Sequence, residues 1–123
     1  MTPEDIEYIE ASLDVVLPEP YKRVMTDYPF EDGVGDFNHS PGDCARSVVK
    51  WTRTYWGGFG CNPPWPRALV CIGTEGDACP IALNLKTLKV VKFYKGNFRA
   101  ELMEEYDSFE CFIEQCVKDY AEE

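Results

Sequence analysis

The stretch ALVCIGTEGDACPIALNLKTLKVVKFY, residues 68–94, decides the fold class, because here the hydrophobic period of the chain changes to two. Ala68 to Ile72 is a short apolar run, and Gly73 to Asp77 supplies turn formers. Ile81, Leu83 and Leu85 then alternate within Pro80 to Leu85, and Leu88 to Tyr94 continues the pattern until Gly96-Asn97. Successive strand side chains point to opposite faces, so a period of two marks strands. Connections this short join only antiparallel neighbours, since a parallel crossover needs a dozen residues or more. The stretch therefore predicts an antiparallel meander.

Both flanks read as helices. Thr2-Pro3-Glu4-Asp5 has a hydroxyl cap, a proline at the first helical position and an acid three residues after the cap. Ile6, Ile9 and Leu13 fall on one face of the helix that follows, which Val15-Val16-Leu17-Pro18 breaks. Tyr21, Val24, Met25 and Tyr28 recur at helical offsets, and Pro29 closes that second segment. Residues 31 to 42 are rich in turn formers and read as a surface loop. Asp43 is placed to cap a third helix, in which Ala45, Val48, Val49, Trp51 and Tyr55 pack up to about Trp56. Gly57 to Pro64 is a loop, and Phe98 to Glu105 carries no clear period. Ser108 caps a final helix whose stripe is Phe109, Phe112, Ile113, Cys116, Val117 and Tyr120. The expected fold is a single α+β domain over 1–123: an antiparallel-rich sheet with N-terminal helices and a C-terminal helix packed against it.

Six cysteines in a chain without an apolar run of membrane-spanning length, opening on acidic residues, are expected as reduced thiols in a cytoplasmic protein. The net charge of −10 is segregated along the chain. Residues 1 to 32 carry nine acids against Lys22 and Arg23, and 101 to 123 carry nine against Lys118, whereas 33 to 100 hold nine basic residues and four acidic ones. Solvated helix faces account for such ends, and so does a surface that steers a basic partner. An acidic protein repels polyanions, so nucleic acid and membrane are not expected as direct partners.

Little in the chain specifies catalysis. The single histidine, His39, lies in the turn-rich loop without a recognisable triad signature. Paired cysteines at zinc-finger spacing do not occur, and Asp36, His39, Asp43 and Cys44 cluster only loosely. Gly33-x-Gly35 and Gly57-Gly58-x-Gly60 lack the strand and the Gly-Lys-Ser/Thr ending of a phosphate loop. No catalytic residue, metal or cofactor is expected. Lys89, Lys92, Phe93, Tyr94, Lys95 and Arg99 interleave bases with aromatics, a pattern of single-strand binders, but an edge strand guarded by lysines explains it better. Trp51, Trp56 and Trp65 lie within or beside the Gly/Pro loop, as packing residues or as interface anchors.

Taken in order, these pieces resemble the SUKH superfamily, which includes fungal cell-wall assembly regulators and bacterial immunity proteins. Leu17-Pro18-Glu19-Pro20-Tyr21-Lys22 looks like that family's entry to its second helix. Trp65-Pro66, Leu69-Val70-Cys71-Ile72-Gly73, Ile81-Ala82-Leu83-Asn84-Leu85 and Val91-Lys92-Phe93-Tyr94 follow, and Ser108-Phe109-Glu110-Cys111-Phe112-Ile113 is similar to the family's terminal helix. Gly76-Asp77-Ala78-Cys79-Pro80 departs from the family by placing a proline at the strand start. The resemblance implies a non-enzymatic protein-binding domain, an immunity protein that binds and neutralises a cognate toxin such as a nuclease. The alternative is a regulatory scaffold or adaptor like the fungal relatives. The expected partner-binding residues, chosen from the central turn and the outer strand, are Trp56, Glu75, Asp77, Lys92 and Tyr94, while Glu31, Asp32 and Asp36 are expected to contribute charge.

Overall fold

A computed structural model describes residues 1–27, 33–34, 37–38, 44–58, 64–74, 79–93 and 102–121. Four helices and an antiparallel sheet form one α+β unit, as the sequence predicts. Helix α1 spans Pro3–Leu13 and begins as expected: the Thr2 hydroxyl accepts from the Asp5 backbone, and the Asp5 carboxylate accepts from the Thr2 backbone. It ends where Asp14 turns left-handed at φ 54°, a conformation that short polar side chains tolerate best. Helix α2 is Glu19–Thr26, α3 is Cys44–Trp56 and α4 is Phe109–Ala121. In α4 the Ser108 hydroxyl accepts from the Cys111 backbone, which confirms the cap.

The body of the sheet is the predicted meander, β3 (Leu69–Thr74), β4 (Pro80–Asn84) and β5 (Val90–Phe93), continued by β6 (Leu102–Tyr106), each strand antiparallel to the next. Pro80 begins β4, where a missing N–H is tolerated. Two elements differ from expectation. Within the turn-rich stretch read as loop, β1 (Gly33–Val34) and β2 (Phe37–Asn38) pair with each other and extend the sheet through Asn38 opposite Thr74. Two-residue strands are too short to show a period, so only pairing reveals them. The unassigned stretch before Ser108 yields β6, which makes β5 an interior strand. The edge expected at the lysine-bearing strand β5 is therefore taken by β6, where the exposed charges are Glu104 and Glu105.

The sheet has two unequal apolar faces. On one, Val70, Ile72, Ile81, Leu83 and Val90 join Ile6, Ile9, Leu13, Leu17, Tyr21, Met25, Val48, Phe109 and Phe112 from the helices. Burying each such aliphatic side chain is worth about 1.5–3 kcal/mol, so this face dominates stability. On the other, Leu69, Cys71, Ala82, Val91 and Phe93 are covered by Trp65, with Tyr55 and Trp56 of α3 beside it. Helix α3 reaches both faces because it runs along the β3 edge instead of across the sheet.

Candidate partner-binding surface

Helix α3 meets β3 through two side chains one turn apart. The hydroxyl of Thr52, fully buried, accepts from the Cys71 backbone N–H at 2.8 Å. The indole N–H of Trp56 donates to the Leu69 carbonyl at 2.7 Å. An open strand edge presents unpaired N–H and C=O groups that invite other chains, and α3 satisfies this edge with side chains. Beyond it, a bulge between Cys71 and Gly73 bends β3 away.

The bend leaves a cleft of about 200 Å³ between the first half of α3 and the end of β3, lined by Ser47, Val48, Trp51, Cys71, Ile72, Gly73 and Thr74. Trp51 stands at its rim, 40% exposed. From Trp51 a row of rings runs over the second face: Tyr55 at 6.0 Å, then Trp65 a further 4.6 Å on, then Phe93 at 5.4 Å from Trp65. Of the three tryptophans flagged from sequence, Trp65 is core at 4% exposure, Trp56 is half-buried, and Trp51 is the one presented outward.

The outward face of α3 is basic. Arg46, Lys50 and Arg53 are exposed, and Arg67 joins them from the following loop. Lys50 lies 5.1 Å from the Trp51 ring centroid and Arg67 4.6 Å from that of Trp56. The Arg53 guanidinium donates to the Ser12 carbonyl at 2.8 Å. Acids occupy other surfaces: Glu4, Glu7 and Asp14 on α1, Glu110 and Glu114 on α4, and Glu104 and Glu105 on β6 are all exposed.

Of the expected site residues, Trp56 and Lys92 lie among the described ones. Lys92, expected to face a partner, is 1% exposed. Alternation puts it on the helix-covered side with Val90, and Glu104 of β6 lies opposite it in the register. Its ammonium lies 3.3 Å from Glu104 and 5.8 Å from the Tyr106 ring centroid, so its long stem is buried while its charge meets a half-exposed acid. Trp56 holds α3 to β3, with the Arg67 guanidinium over its ring. Glu75, Asp77 and Tyr94 lie outside the described residues, as do Glu31, Asp32, Asp36, His39 and Asp43.

Chemistry at these positions is subdued. Burial pushes the Cys71 thiol up from 9.0 to about 12, so it stays protonated and weakly nucleophilic. Cys71 and Cys111 are free thiols. Burial, followed by the hydrogen bond to Glu104, raises the Tyr106 hydroxyl from 10.0 to about 12. Among the described residues no three His, Cys, Asp or Glu side chains converge as metal ligands, and no helix is long and apolar enough to cross a membrane. No family model matches the chain, and no curated protein or solved structure proved similar to it.

Proposed function

We propose that the protein is a non-enzymatic protein-binding domain that acts in the cytoplasm as an immunity protein, occupying a basic toxin domain through its acidic helix surfaces. The observation that carries this reading is the division of exposed charge, with acids on α1, α4 and β6 and cations gathered on α3 and Arg67. Complementary charge raises encounter rates and selects partners, and a nuclease domain, basic so that it can hold nucleic acid, is the natural complement. The resemblance of the motif order to the SUKH superfamily supports the same reading.

The expected result of affinity recovery from native lysate is one partner in near-equal amount, held more tightly at low salt than at high, whose toxicity disappears on co-expression. Neutralising Glu4, Glu7 and Glu114 together should slow association about tenfold at low salt. A second reading rests on the same observation, because two surfaces of opposite charge suit a scaffold that bridges two partners. Recovery of several substoichiometric signalling or wall-assembly proteins would replace the immunity reading with that one.

A further inference from the structure

Arg46, Lys50 and Arg53 follow one another on α3 at offsets of four and three, so they form a single stripe. At a rise of 1.5 Å per residue the stripe is about 10 Å long. Residues 44 to 74 contain no acid, although the chain as a whole carries −10. Elsewhere the described cations are largely neutralised: Lys22 by Glu10 and Glu19, Arg23 by Glu110, Lys89 by Glu105 and Lys92 by Glu104. Among the described residues no carboxylate pairs with Arg46, Lys50, Arg53 or Arg67. Rings beneath Lys50 and Arg67, and the Ser12 carbonyl beneath Arg53, hold these groups in place at the surface.

The cleft between α3 and the bulged end of β3 lies on the next face of the helix, with Trp51 at its rim. A dry cavity of about 150 Å³ accepts benzene, so one of about 200 Å³ has room for a single large apolar side chain.

We infer that the α3 face is a docking site for an acidic protein segment, with carboxylates spaced along the Arg46–Lys50–Arg53 stripe and one bulky apolar side chain seated in the cleft beside Trp51. Charge complementarity selects this occupant over nucleic acid. Helix α1 packs against α3, and its exposed Glu4 and Glu7, with Asp14 at its end, repel an extended polyanion more than a short segment whose carboxylates match the stripe. The site is separate from the acidic surfaces assigned to the toxin, so either assignment can fail alone.

Panning displayed random peptides on the folded protein at low salt tests the site. The expected binders are enriched in Asp and Glu and carry one Leu, Phe or Trp. The affinity of the strongest synthetic peptide should fall about tenfold or more in Arg46→Glu/Lys50→Glu and about fivefold in Trp51→Ala, and change less than about twofold in Glu4→Gln/Glu7→Gln. All five positions are exposed, so these variants should keep the circular dichroism of the parent. Binders without acid enrichment, or affinity indifferent to Arg46→Glu/Lys50→Glu, would overturn the inference. So would tighter binding of a poly-thymidine oligonucleotide to the same face, or self-association of the chain that those charge reversals abolish.

Discussion

Thr52 is a polar residue buried among apolar ones, and its hydroxyl accepts from the Cys71 backbone N–H on the edge of β3. Replacing it with valine keeps the shape but strands the Cys71 N–H. An unsatisfied buried donor costs about 1–3 kcal/mol, so Thr52→Val should lower the unfolding free energy by that amount while Thr52→Ser loses less. Urea unfolding of the two variants checks the difference; equal stabilities would mean that the hydroxyl plays no such part. Lys92 teaches the complementary lesson. Its neighbours Val91 and Phe93 marked a strand correctly, but no local pattern announced that β6 would pair beside β5 and set Glu104 opposite the lysine. The partner-facing role expected of Lys92 therefore gives way to an internal ion pair.

At the scale of elements, the helices were legible because their signals are local. The capping residues Thr2 and Ser108 and the stripe Ile6, Ile9 and Leu13 all sit within a turn or two of each other, and each takes the position expected of it. Ser108→Ala should cost about 1 kcal/mol of stability, typical of a lost helix cap, with thermal unfolding as the measurement and an unchanged midpoint as the contrary result. The β1–β2 hairpin and β6 were not legible. Their strand character comes from partners distant in sequence, Thr74 for Asn38 and Val90 to Phe93 for Leu102 to Tyr106. Helix α3 shows both sides of this contrast. Its extent was readable up to Trp56, but its position along the β3 edge was not, and that position turns Trp56 into an anchor and leaves Trp51 as the exposed ring.

For the molecule as a whole, two groups link stability to alkaline pH. The Cys71 thiol titrates at about 12 when folded against a reference of 9.0, and the Tyr106 hydroxyl at about 12 against 10.0. Between those values the unfolded chain has already released its protons while the folded chain retains them, so folding loses stability as pH rises. The contribution of these two groups should be level from neutral pH to about pH 9 and decline from there toward 12, and Cys71→Ala should delay the onset to about pH 10, where the tyrosine alone titrates. Urea unfolding at a series of pH values gives the profile; a flat one would remove the burial of Cys71 as its cause. The charge division is likewise a property of the whole. The sequence alone determined that acids gather in the terminal segments and bases in the middle, that helices flank an antiparallel meander, and most members of the helical stripes, Trp51 and Val117 being exposed instead, because composition, caps and periodicity act within a few residues. Only the tertiary structure decided that α3 lies along the β3 edge, that Lys92 lies inside while Arg46, Lys50 and Arg53 are exposed, and that a cleft opens beside Trp51 on the next face of α3, because each depends on contacts between segments far apart in the chain.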